Sequence, residues 1–237
     1  MNSIKVITFN CQRKNELELV LEEEEFDFDL FFIQRCPESM PNILRDTNYK
    51  TSYVRNYVCP NNSDEDPNGI CIVSKDIKLD SQVEHGEFKN FISSPDKEQG
   101  RCWQKLHLDT PNGARTIINC LPSFRSEEHD PGEIVPKEIY RSQASELLDM
   151  ANDTTILVGD FHNKDAKLKD ELDLDKRNLH NYIHEGTFTQ DDGYLNSIDK
   201  IITTKNSNIK ISNVTVLKYN RDHLIGHWPV SFNIDWN

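Results

Sequence analysis

The chain opens on a β-branched and aromatic run, Ile4-Lys5-Val6-Ile7-Thr8-Phe9, that stops at Asn10-Cys11. A short run of this kind ended by a polar residue predicts a core strand that delivers Asn10 to the end of a sheet. Leu17, Leu19, Val20 and Leu21 follow among glutamates. Their spacing predicts an amphipathic helix, with Glu22–Glu25 as a solvated face. Further strands are predicted at Asp29–Arg35, Gly69–Ser74, Cys102–Leu108 and Arg115–Leu121, and Pro111-Asn112-Gly113 joins the last two as an antiparallel hairpin. Pro136–Ala151 places Ile139, Leu147, Leu148 and Met150 as a helix should, and it feeds a strand at Thr155–Val158. Ser197–Thr203, Ile209–Leu217 and Trp228–Ile234 complete the strands. Lys164–Arg177 reads as a charged loop or short helix, and Pro60–Asn68 and Phe124–Gly132 as accessory loops.

Strands and helices mixed in this order, with hairpins in the middle, predict two packed sheets flanked by helices. At 237 residues the chain suits one such domain, residues 1–237. Hydrophobic residues at 36% supply a core, while a mean hydropathy of −0.69 requires a strongly polar surface. The formal charge of −13 argues against gripping nucleic acid by bulk electrostatics, which needs Lys and Arg to release counterions. It leaves open a nuclease whose metal ions neutralise its own carboxylates. Cys11, Cys36, Cys59, Cys71, Cys102 and Cys120 show no CxxC spacing, and no leader-like segment precedes Ile4. Reduced thiols and a cytoplasmic or nuclear location are expected; three disulfides in a secreted protein are the competing reading. No apolar stretch approaches the ~20 residues of a membrane helix, so no membrane association is expected.

Six motifs carry the chemistry: Thr8-Phe9-Asn10, Phe32-Ile33-Gln34-Arg35, Asn119-Cys120-Leu121-Pro122-Ser123, Gly159-Asp160-Phe161-His162, Ser197-Ile198-Asp199-Lys200-Ile201 and Gly226-His227-Trp228-Pro229-Val230. In this order, each at a predicted strand end, they resemble the endonuclease/exonuclease/phosphatase superfamily, the deoxyribonuclease I-like proteins, over residues 4 to 234. The resemblance implies an α/β, four-layer sandwich of two packed mixed or antiparallel sheets flanked by helices. It also implies phosphoester hydrolysis with Mg²⁺ or Mn²⁺. Such hydrolysis needs a cation on the phosphate oxygens, an activated water and a stabilised leaving group.

Compared with that pattern, Asn10, Gln34, Asp160, Asp199 and His227 fit, and four positions depart. The family's metal-binding Glu is Arg35, which has five donors and no lone pair; it is expected to pair with Asp160 or Asp199, or to grip phosphate. The Asp that precedes the terminal His is Gly226, which leaves His227 with no evident carboxylate on its other nitrogen unless Asp222-His223 folds back. His162 replaces an amide, since Asn163 comes one residue late and points elsewhere. Cys120 replaces a His or Tyr and is expected to be a small buried hydrophobe.

The resemblance therefore assigns catalysis to Asp160, His162, His227, Asn10 and Asp199, phosphate binding to Arg35, His162, His227 and Asn10, and any metal to Gln34 and Asp160. It implies a protein descended from Mg²⁺-dependent phosphodiesterases, inactive or strongly attenuated, that serves as a scaffold or as a phosphate or nucleic-acid binding module. The alternatives are a metal-dependent nuclease or phosphatase with a rearranged site and a metal-independent phosphate binder. Nucleic acid, a phosphorylated small molecule or a protein are the expected partners. A zinc protein is a separate reading, resting on the i, i+4 spacing of His180 and His184.

Overall fold

The computed structural model describes residues 3–11, 14–22, 27–46, 49–55, 68–79, 82–90, 102–122, 137–162, 172–189, 195–218 and 226–235. The opening run forms β1 (Ser3–Asn10), followed by α1 (Lys14–Leu21) and β2 (Leu30–Pro37). Then come α2 (Met40–Asp46), β3 (Lys50–Arg55), β4 (Asn68–Ser74) and β5 (Val83–Glu87). The hairpin signal joins β6 (Cys102–Thr110) to β7 (Gly113–Cys120), and the predicted helix is α3 (Lys137–Asp149), which leads into β8 (Thr155–Asp160). The last third holds β9 (Leu179–Asn181), β10 (Phe188–Thr189), β11 (Leu195–Asn196), β12 (Asp199–Thr204), β13 (Lys210–Val216), β14 (Gly226–His227) and β15 (Val230–Asp235).

One six-stranded sheet runs β13-β15-β1-β2-β4-β3 and the other β5-β6-β7-β8-β12-β9, with β11-β10-β14 as a small third sheet. Both large sheets are mixed. β1 and β2 are parallel, as are β7 and β8, and each parallel pair is connected through a helix, α1 and α3 respectively. Alternation along each strand divides the apolar residues between two layers. Ile4, Val6, Leu30 and Phe32 of one sheet meet Leu106, Ile117, Ile156, Val158 and Ile201 of the other in the central core. The outer faces are covered separately, Ile7, Phe9 and Phe31 beside Leu17, Met40 and Leu44 of α1 and α2, and Ile118 and Leu157 beside Tyr140, Ala144 and Leu147 of α3. The result is the expected four-layer sandwich.

Local signals missed α2, β3, β5 and the short strands β9, β10, β11 and β14. The pattern at β5 is Val-Glu-His-Gly-Glu, which carries little apolar character and forms a strand only because β6 pairs with it. His180 lies on β9 and His184 in the coil after it, so their spacing is not a helical one; their ring centroids lie 6.2 Å apart. The described cysteines, Cys11, Cys36, Cys71, Cys102 and Cys120, are buried thiols outside any disulfide. Cys59, Asn163, Asp222-His223 and the loop Phe124–Gly132 lie outside the described residues, as does Pro60–Asn68 except for its last residue. No described helix is long and apolar enough to cross a membrane.

Candidate active site

The inward-facing positions that follow the apolar ones toward the strand ends are polar: Asn10 on β1, Gln34 on β2, Asn119 on β7, Asp160 on β8 and Asp199 on β12, all buried. Register brings them together. Asn10 sits opposite Gln34 and Asp160 opposite Asp199. Buried polar groups of this density persist only when they are hydrogen-bonded.

Asp160 is the hub. Its Oδ2 accepts from Asn10 Nδ2 at 2.7 Å and from His162 Nδ1 at 2.9 Å, and its Oδ1 accepts from the His162 backbone N–H at 2.6 Å. The second of these oxygen contacts depends on backbone shape. His162 has φ 49°, a left-handed conformation that turns the chain so that both its N–H and its ring meet the preceding carboxylate. Tyr140 on α3 secures that turn by donating its hydroxyl to the Phe161 carbonyl at 2.8 Å. Burial would raise the Asp160 pKa, but the charges of His162 and then His227 outweigh it and hold the carboxyl well below its usual range.

The absence of an acid before His227 leaves the ring with no sequence-adjacent partner, and here the structure corrects the expectation. The carboxylate comes from Asp199, whose Oδ2 lies 2.9 Å from His227 Nδ1. Asp199 is 28 residues away, the first residue of β12, and reaches the ring of His227, the last residue of β14. This fixes Nδ1–H as the donor, so Nε2 faces Asn10 Nδ2 at 3.2 Å and Asp160 Oδ2 at 3.6 Å. Burial opposes a charge on His227, yet Asp199 and Asp160 together raise its pKa above the ordinary value, with Arg35 pulling the other way. Phe188 packs against the ring at 4.8 Å.

Two glycines set the backbone. Gly159 has φ 143°, and a Cβ there would stand 2.0 Å from the Cys120 carbonyl oxygen, so β7 and β8 approach this closely only without a side chain. Gly226 has φ 140°, so the aspartate that the resemblance would put there would be strained. Arg35 has φ 53° where the pairing of β2 with β4 shifts register between Ile33 and Cys36. That bulge turns Arg35 out of the strand's alternation. Cys120 is buried in the outer core with its thiol on the Val158 carbonyl, and burial pushes its pKa up, the inert fate expected.

Beneath the cluster lies a chain of amides in which Gln34 and Asn119 belong to the motifs and Gln104 does not. Gln34 Nε2 donates to Thr8 Oγ1 and to Asn119 Oδ1, Asn119 Nδ2 to Gln104 Oε1, and Gln104 Nε2 to the Ser52 carbonyl beside His85. The visible signal was alternation: Gln104 and Asn119 fall on inward-facing positions of otherwise apolar strands.

Asp160, Asp199 and His227 offer atoms that lie within 4.8 Å of one another, the one described group with metal-binding residue types at that spacing. A divalent ion fits them poorly. Mg²⁺ is held through carboxylate oxygens, and here it would compete with three N–H donors on Asp160 and with the His227 ring on Asp199. The charge of Arg35 acts on the same ring. At this site Asn10 Oδ1 and Gln34 Oε1, buried amide oxygens with no donor among the described residues, would suit an ion, but neither is charged.

This sandwich is the endonuclease/exonuclease/phosphatase, or deoxyribonuclease I-like, fold. The chain superposes on an endonuclease/exonuclease/phosphatase family protein from Leptotrichia buccalis with a TM-score of 0.70 and 14% identity over 98% of this chain and 99% of that one. The human Nocturnin catalytic domain with bound sulfate gives 0.67 at 14% identity, covering 100% and 95%. ANGEL2, a 2′,3′-cyclic phosphatase, gives 0.66 at 14%, covering 98% and 95%. No protein-family model and no curated protein sequence matches the chain.

Proposed function

We propose that this protein recognises a phosphoester through the fold's strand-end site, with hydrolysis lost or strongly attenuated, and that it serves as a binding module or scaffold. One observation carries the reading: the groups that orient a phosphate and a water, Asn10, Asp160, Asp199 and His227, form a single hydrogen-bonded cluster, while the metal-holding positions carry Arg35 and Gly226. A cluster kept only for structure has no need of a guanidinium at a left-handed bulge, a conformation that costs on the order of 1 kcal/mol or more. Nucleic acid and phosphorylated small molecules are both partners that such a site accepts.

The Asp199–His227 pair favours a second reading, a hydrolase with a rearranged site. Its Nδ1–H is held by a carboxylate, and its raised basicity suits Nε2 for taking a proton from water. In that case Asp199→Asn, which keeps the shape and removes the charge, lowers turnover by about a hundredfold or more. The deciding assay is hydrolysis of fluorescent DNA, RNA and phosphomonoester substrates with Mg²⁺, Mn²⁺ or EDTA, and with Asp160→Ala as the contamination control. Turnover lost in that variant establishes the hydrolase. Binding without turnover is the outcome expected for the module.

A further inference from the structure

The buried carboxylates at this site are matched by the chain's own groups. Asp160 is held by the His162 ring and backbone and by the Asn10 amide, and Asp199 by the His227 ring. In a site of this kind a divalent ion has two jobs: it offsets carboxylates, and it presents positive charge to the substrate. The first job is taken by the N–H groups of His162, Asn10 and His227 that these carboxylates accept. The second falls to Arg35, which cannot lose its proton and whose planar fork matches two phosphate oxygens at once. Arg35 follows Gln34, the register partner of Asn10, and its charge reaches His227.

The site also lacks donors at two points. Asn10 Oδ1 and Gln34 Oε1 are buried acceptors that no group among the described residues satisfies. A buried acceptor left without a donor loses its hydration unreplaced, so it favours a ligand that brings a donor. A phosphodiester monoanion has no hydrogen on its phosphate. A phosphate monoester does, in its monoanionic form, and inorganic phosphate does as well.

We infer that this centre is a metal-independent site for the terminal phosphate of a phosphomonoester, with Arg35 and His162 built into the chain where a bound ion would otherwise serve. The inference rests on the phosphoester reading above and narrows it. Arg35 grips the phosphate oxygens, His162 keeps Asp160 from repelling them, and the Asn10 amide oxygen accepts the P–OH.

Calorimetric titration of the full chain with inorganic phosphate, methyl phosphate and dimethyl phosphate, each with EDTA and again with Mg²⁺, tests it. Phosphate and methyl phosphate are expected to bind in EDTA, with Mg²⁺ changing the affinity less than about twofold and dimethyl phosphate binding about tenfold more weakly. Arg35→Gly and Arg35→Asn, the substitutions that a left-handed backbone tolerates best, are expected to lower phosphate affinity about tenfold or more without lowering the melting temperature. Either variant that folds suffices. Binding that appears only with Mg²⁺ overturns the metal-free site and leaves the phosphoester reading standing. Equal affinity for the diester, or full affinity in both Arg35 variants, overturns the monoester and Arg35 assignments. No binding of phosphate, ester or oligonucleotide under any condition removes both readings.

Discussion

At Gly159 a single hydrogen in place of a side chain decides whether the site forms. The residue has φ 143° and passes 2.0 Å from the Cys120 oxygen as judged by where a Cβ would fall. It precedes Asp160, so any shift that relieved the clash would move the hub. Gly159→Ala is expected to destabilise by about 3 kcal/mol from strain and overpacking together. Thermal unfolding checks this, and an unchanged melting temperature would mean that the strands can part at no cost. Arg35 and His162 are the complementary case, side-chain-bearing residues in left-handed backbone. Sequence identified each as a departure from the pattern, but the conformation that aims them could not be read from it, because nothing in Gln-Arg-Cys or Phe-His-Asn requires a positive φ.

Between elements, the Gln34–Asn119–Gln104 amides link the two sheets beneath the active cluster. Each NH₂ points to the next carbonyl, so removing the middle member strands a donor on one side and an acceptor on the other. Asn119→Leu is expected to cost about 2 kcal/mol, from two buried groups losing a partner. Adding Gln104→Leu should restore part of that loss, because matched apolar replacements remove the orphaned groups. Chemical denaturation of the two single variants and the double variant measures the coupling; strict additivity would show that the amides do not act as a unit. The same scale explains the missed strands. β3 and β5 have weak patterns of their own and are held by β4 and β6, whose hydrogen-bonding edges they complete.

For the molecule as a whole, the two titrating centres set opposite limits on stability. Asp160 has a pKa depressed below its ordinary 3.8, so its contribution is present above that pH and is lost as pH falls through the lower folded value. His227 has a raised pKa, so its contribution is present below the ordinary 6.5 and is lost as pH rises through the higher folded value. Both operate between those two values, and melting temperature is expected to be highest there. Replacing His227 with Gln should flatten the alkaline limb, and a limb unchanged in that variant would assign it to other groups. The net charge of −13 adds a general repulsion that protonation of carboxylates relieves, which also favours the acidic side of neutrality.

The sequence by itself determined the layers and most of the strands that carry the site, because hydrophobic patterning is a property of neighbours along the chain: the run Ile4–Phe9 read as a core strand that delivers Asn10 to the end of a sheet. The same local logic listed Asp160, Asp199 and His227. It could not say which carboxylate serves which histidine, since that depends on register between strands far apart in sequence. Only the tertiary structure turned Asp199 toward His227 across 28 residues, folded His162 back onto Asp160, and brought Arg35 into electrostatic range of the same ring. Side-chain partnerships are set by how whole sheets align, and a buried carboxylate takes whichever donor that alignment puts within about 3 Å.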